Sequence, residues 1–288
     1  PHLSMHIVTV TFPTLEAAQK AASMIGKHVG DDDLKIQYSF RPNNLCQNLP
    51  VGSITSKEMH DDEDVPNNNA IAGHYIHEWR QLEEVKPDRI PQMTKYLGLR
   101  YNCISSFEAV CPSLTEINLK GNDLVSFPSN LSFPNLQKLD VSFNLLTDLP
   151  DFLTFAPSIK KINATTNKLK NIHPSISKLT KLDNLDVSHN QITYIPELPP
   201  TLKHLLVQSN QIDSWADMPP MEMHELSLWK NQIKSIPGFT YGNIDQVCIC
   251  HNCLTEIPVD CLINQIKMLD LCMNNIRTLP PMLFKIKT

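Results

Sequence analysis

Nine asparagines recur along this chain at nearly constant spacing, at positions 102, 122, 144, 167, 190, 210, 231, 252 and 274, with steps of 20 to 23 residues. Each sits in the same apolar frame. Two copies read Leu136-x-x-Leu139-x-Val141-x-x-Asn144-x-Leu146 and Leu182-x-x-Leu185-x-Val187-x-x-Asn190-x-Ile192. Others are Leu202, Leu205, Val207, Asn210, Ile212 and Ile266, Leu269, Leu271, Asn274, Ile276. Three residues past the last apolar position comes another (Phe127, Leu149, Ile195, Ile236, Ile257 or Leu279), each followed by proline. A fixed period of this length marks a stacked repeat, so the fold is a one-dimensional array rather than a closed globule.

The frame has a physical reading. The alternating Leu-x-Leu is a short strand whose period of two sends both leucines inward. The asparagine ends the strand, and its amide can satisfy backbone groups where the chain turns inside the stack. The apolar-Pro step carries the chain across the back in extended or short helical form, because proline has no amide hydrogen for a ladder. No single repeat can bury its own apolar face, so the unit is stable only when stacked.

On these motifs the chain resembles the leucine-rich repeat family, over about residues 93 to 286. The resemblance implies an α/β solenoid of nine repeats, with a parallel sheet on the concave face and irregular or short-helical backs. It is nearest to intracellular members with repeats of 20 to 23 residues. The flanking disulfide caps of extracellular relatives are not recognisable. Thr94 replaces the first leucine of repeat one, and Ala164 replaces a core leucine of repeat four.

Before the repeats, residues 1–59 read as a small α/β unit. Ile7–Phe12 is a strand, Pro13–Ile25 a helix with Thr14 as N-cap, and Leu34–Phe40 a second strand. This order is similar to the second half of an RNA-recognition domain, and fits a partial α/β, lipid-binding or GTPase-binding fold equally. Residues 60–69 are an acidic and polar linker. In residues 70–92, Ile71, Tyr75, Trp79 and Leu82 fall at helical spacing, which predicts a helix capping the first strand of the solenoid at 93–288. At the other end, the next repeat would begin at 288, where the chain stops. That predicts an uncapped edge, open to a second copy as a homodimer or to a continuation of the polypeptide.

Composition excludes several functions. Eight glycines against 22 prolines leave little material for phosphate-cradling loops. A net charge of −5 makes nucleic acid an improbable partner. No apolar run reaches the length of a membrane span. Eight cysteines match no secreted scaffold and are read as reduced thiols of a cytoplasmic protein. Catalytic signatures fail. His77-Glu78-Trp79-Arg80-Gln81 begins like a zinc-protease helix but lacks the second histidine, so His74 and His77 are read as surface residues. The chain is expected not to be an enzyme and to need no cofactor. Cys248, Cys250, His251, Cys253 and Cys272 concentrate soft ligands. A flat sheet, however, presents them in a plane rather than a tetrahedron, so no metal is expected.

Strand alternation identifies the concave side chains. One column runs Gly98, Asn118, Asp140, Asn163, Asp186, Leu206, Ser227, Cys248, Asp270. The next runs Arg100, Lys120, Ser142, Thr165, Ser188, Gln208, Trp229, Cys250, Cys272, flanked by Tyr101, Gly121, Phe143, Thr166, His189, Ser209, Lys230, His251 and Met273. An exposed Trp229 among small and thiol-bearing neighbours is the expected hot spot. With it we place Leu206, Asp186, Asp140, Phe143, His189, Lys230, Cys250, Cys272, Met273 and Tyr101 in the partner-binding set. The function expected is a scaffold that binds another protein on the concave face. The resemblance suggests signalling partners such as serine/threonine phosphatases or small GTPases. The alternatives are the targeting region of a larger phosphatase, kinase or exchange factor, and an RNA-associated protein acting through its N-terminal unit.

Overall fold

The structure is a computed structural model and describes residues 6–11, 34–39, 73–108, 111–127, 131–219, 221–235, 244–257 and 266–278. The expected helix over 13–25 lies outside them, as do the linker over 60–69, Phe12 and Phe40. Each described repeat contributes one short strand to a single parallel sheet. In chain order these are β3 (His74–Ile76), β4 (Tyr96–Gly98), β5 (Glu116–Asn118), β6 (Lys138–Asp140), β7 (Lys161–Asn163) and β8 (Asn184–Asp186). After β9 (Tyr194–Ile195) on the back come β10 (His204–Leu206), the back strand β11 (Ser214–Trp215), β12 (Met223–Ser227), β13 (Ile244–Cys248) and β14 (Met268–Asp270). Neighbouring strands pair in exact repeat register, Leu97 beside Ile117, Leu139, Ile162, Leu185, Leu205, Leu226, Val247 and Leu269.

Those inward leucines and their partners two residues on are almost fully buried and form one continuous core. Ala164 occupies its leucine position without breaking the stack. The backs are irregular, as expected. They contain a one-turn helix at Phe152–Phe155, a 3-10 turn at Pro174–Lys178 and the β9–β11 pair. Phe127, Phe133, Phe152 and Phe155 meet edge to face there.

The asparagines do the work their position predicts. Asn144 lies behind the strand ends, its Nδ2 donating to Leu119 O and Val141 O at 2.9 and 3.0 Å, while its Oδ1 accepts from Leu124 N at 3.0 Å. Asn190 repeats the pattern with Ala164 O, Val187 O and Leu169 N. Each amide therefore stitches its own turn to the preceding one.

Two expectations about the ends are corrected. Residues 74–76 are not helical. They form β3, parallel to β4, with Tyr75 level with Leu97. Asn102 Oδ1 accepts from Arg80 N and Leu82 N, and its Nδ2 donates to His77 O. The segment Tyr75-x-His77-x-x-Arg80-x-Leu82 is thus a further turn of the repeat, with arginine where the others have asparagine. Its Tyr75 and Leu82 fit a helix and a repeat frame alike, and pairing with β4 decides between them.

The second correction concerns the C-terminal edge. Strand β1 (His6–Thr11) pairs in parallel with β14, Val8 beside Leu269, and β2 (Leu34–Ser39) pairs with β1. The outer edge of β14 is therefore covered from within the chain, and the edge proposed for homodimer contact is not bare. The strand pair itself falls where the sequence placed it. Among the described residues no helix is long and apolar enough to cross a membrane.

Candidate partner-binding face

The sheet positions the candidate side chains as two columns. Gly98, Asn118, Asp140, Asn163, Asp186, Leu206, Ser227, Cys248 and Asp270 are level across adjacent strands, as the alternation predicts. After each strand the chain turns through a left-handed residue. Trp79, Tyr101, Phe143, Thr166, His189, Ser209, Lys230, His251 and Met273 all have φ between 52° and 57°. This conformation costs a non-glycine residue roughly 1–2 kcal/mol. It recurs because the asparagine behind it satisfies the turn's backbone.

At the N-terminal end these left-handed turns present aromatic rings. Trp79 stacks on Tyr101 with centroids 3.9 Å apart and planes 19° from parallel. The Tyr101 ring lies over Gly121, where a Cβ would stand only 2.6 Å from it. Lys120 Nζ sits 5.7 Å from the Tyr101 centroid and 5.3 Å from that of Phe143. Trp79 and Phe143 are 47% and 45% exposed, which leaves large apolar area facing solvent. Beside them Arg100 Nε donates to Glu78 at 2.6 Å, pairing β4 with the β3 turn. Gly98 leaves room for the Tyr96 ring and the Glu78 carboxylate. Burial first, and Glu78 second, push the Tyr96 phenol up.

The second patch differs from its expectation. Trp229 is only half-buried rather than freely exposed. It meets His251 edge-on at 5.7 Å, with Lys230 Nζ 5.9 Å from its ring. Burial, reinforced by Lys230, lowers the His251 imidazole. Leu206 is half-buried, and His189 and Lys230 are exposed. Cys250, expected to face outward, is buried at 2% exposure. The position it occupies is covered by its neighbours on the curved sheet, which also bury Ser142 and Ser188.

Asp140 and Asp186 are each held by their own strand. Each accepts from the backbone N and the hydroxyl of the serine two residues on, Ser142 and Ser188. Asn163 adds a bond to Asp140. The equivalent pairs are Cys248 and Cys250 at β13 and Asp270 and Cys272 at β14. Cys248, Cys250 and Asp270 each bring one ligand atom within 4.8 Å of the others, and Cys272 N donates to Asp270 Oδ1. The Cys250 thiol hydrogen-bonds Cys248 and holds it at about 7, while Cys250 is itself raised, first by that bond and then by Cys272.

The structure thus gathers Tyr101 with Phe143 through Lys120, Trp229 with Lys230, and Cys250 with Cys272. The first group lies apart along the sheet, whereas the other two adjoin, Lys230 N donating to Cys250 O at 2.9 Å. Trp79, Lys120, Glu78 and Asp270 belong to these groups and were not in the expected set. For Trp79 the missed signal was the degenerate frame from Tyr75 to Leu82.

A leucine-rich repeat family model matches residues 134–197. Residues 134–197 are leucine-rich repeats, and the sheet and backs around them have the leucine-rich repeat solenoid fold. It is 26% identical over 211 residues to leucine-rich repeat serine/threonine-protein kinase 1 of Mus musculus, a match covering 64% of this chain and 10% of that protein. The chain therefore spans about a tenth of the length of this curated relative. Among solved structures it resembles YopM from Yersinia enterocolitica, with 25% identity, a TM-score of 0.55, and coverage of 72% of this chain and 48% of that one. The leucine-rich repeat domain of APL1 shares the fold at 19% identity and a TM-score of 0.65, covering 96% of this chain and 71% of that one. A leucine-rich repeat solenoid of this kind is a protein-interaction module.

Proposed function

We propose that this leucine-rich repeat protein holds another protein on its concave face, anchored by the aromatic column of Trp79, Tyr101 and Phe143 around Lys120. The observation that carries the reading is the exposure of Trp79 and Phe143 on left-handed turns of a rigid sheet. Rigid, exposed aromatic anchors beside a cation are what interface hot spots consist of. Trp229, half-buried beside Lys230, is a secondary contact. The partner is a signalling protein, such as a serine/threonine phosphatase or small GTPase, met in the cytoplasm, where clustered thiols stay reduced.

Immobilised chain and its Trp79→Ala/Phe143→Ala form, challenged in parallel with purified phosphatase and GTPase candidates and with cell extract, test the reading. Tyr194→Ala, on the exposed back strand β9, is the control. Capture lost in the double variant and kept in the control supports the aromatic anchor. Equal capture by all three forms overturns it.

A second reading is favoured by the kinase relative, of which the chain matches a tenth: a non-catalytic targeting region of a larger enzyme. A transcript whose reading frame runs on into a catalytic domain supports it, and a stop directly after Thr288 overturns it.

A further inference from the structure

The column next to the strand centres changes chemistry at its C-terminal end. In β6 and β8 the outward pair is self-satisfied, Asp140 with Ser142 and Asp186 with Ser188, through strong hydroxyl–carboxylate hydrogen bonds. In β13 the pair becomes Cys248 and Cys250, and in β14 Asp270 and Cys272, with Cys248 and Asp270 level across the two strands. Thiols are weak donors and acceptors, so the exchange gives up hydrogen bonding and gathers soft ligands.

The flatness of a sheet forbids four ligands around one ion but not three. Cys248 and Cys250, two residues apart on one face, and Asp270 on the next strand form a triangle with every side within 4.8 Å. A tetrahedral ion with metal–sulfur bonds of about 2.3 Å and metal–oxygen bonds of about 2.1 Å needs ligand separations of roughly 3.6–3.8 Å. Small side-chain rotations close that difference. The bond from Cys272 N to Asp270 Oδ1 at 3.1 Å orients the carboxylate and leaves its second oxygen available, as outer partners of metal ligands do. Cys250 is buried while Cys248 and Asp270 are half-buried, which leaves the solvent side of the triangle for a remaining coordination position.

We propose that Cys248, Cys250 and Asp270 bind a thiophilic divalent cation of the zinc class, with an open fourth position on the concave face. Binding releases the thiol protons of the ligating cysteines to solvent and changes no oxidation state.

The test uses the full chain, reduced, stripped with a chelator and dialysed. Zn2+ is titrated against a chromogenic competitor, and Co2+ serves as a spectroscopic probe. The expected result is about one equivalent of each, with a near-ultraviolet thiolate-to-cobalt band and the intense visible bands of tetrahedral cobalt. Cys248→Ser weakens Zn2+ binding by more than about 100-fold, and Asp270→Asn by roughly 10- to 100-fold. Cys253→Ser, in the same turn but outside the triangle, leaves it unchanged. Asp270→Asn is nearly isosteric and keeps the test valid if a cysteine variant unfolds, which far-ultraviolet circular dichroism reports. Substoichiometric metal, a cobalt complex without the thiolate band, or affinity equal in wild type and Asp270→Asn overturns the proposal.

Discussion

The Trp79 indole lies 3.9 Å from the Tyr101 ring, nearly parallel to it, and Tyr101 in turn lies across the bare Cα of Gly121. Three successive turns of the solenoid are thereby coupled through one stack. Gly121 also has φ of +66°, which a side chain adopts only at a cost. Gly121→Ala should destabilise the protein by about 1–2 kcal/mol and displace Tyr101. In a background with Trp215 and Trp229 replaced by Phe, the Trp79 emission should shift to the red. An unchanged emission maximum and melting temperature would show that the stack does not depend on the glycine.

Asn190 ties two turns together with both ends of its amide. Asn190→Ala strands the Leu169 amide hydrogen in a dry interior and leaves Ala164 O and Val187 O with only their bonds from Asn167 and Asn210, at a cost of about 1–3 kcal/mol. Urea denaturation should show a free energy of unfolding lower by that amount, with the midpoint falling in proportion. Because stability in a repeat array is largely nearest-neighbour, hydrogen exchange should accelerate most in β7, β8 and β10. Uniform acceleration along all strands would contradict this local role.

Asp151 caps the short helix, accepting from Leu153 N at 3.1 Å and from Ser175 Oγ at 2.6 Å. The Ser175 bond chiefly holds its carboxyl below the usual aspartate range. A carboxyl lowered by folding contributes stability above its unfolded pKa and loses it as pH falls through the folded one. Asp151→Ala should cost about 1 kcal/mol at pH 7. The difference between variant and wild type should shrink as pH falls below about 4. A pH-independent difference would assign the effect to packing instead.

Cys248 is held at about 7 by its bond with Cys250, against about 8.5 for an ordinary thiol. In the presence of a chelator, iodoacetamide should modify Cys248 faster than the exposed Cys103 at pH 7, with a rate midpoint near 7. Cys250→Ala should raise that midpoint toward the ordinary value. Peptide mapping by mass spectrometry reads both rates, and matching profiles for Cys248 and Cys103 would refute the lowered pKa.

The period of the chain was enough to place Leu97 level with Ile117 and every later inward leucine, because each repeat carries the whole instruction for its strand, turn and buried amide. The same alternation placed Asp140, Asp186 and Cys248 in one column. What the column's side chains do was decided by distances between strands. Asp186 is bonded to Ser188 on its own strand, Cys250 is buried, and Cys248 meets Asp270 across a strand boundary. The segment from Tyr75 to Leu82 shows the other limit. Its apolar spacing satisfies a helix and a repeat frame alike, and only hydrogen bonding to β4, together with the Asn102 amide, selects the strand. Local periodicity determines which residues face inward, because it is repeated within every 20 or so residues. Pairing between turns far apart in sequence determines which ends are covered and which side chains meet. Those contacts depend on strand-to-strand spacing, which no single stretch of sequence contains.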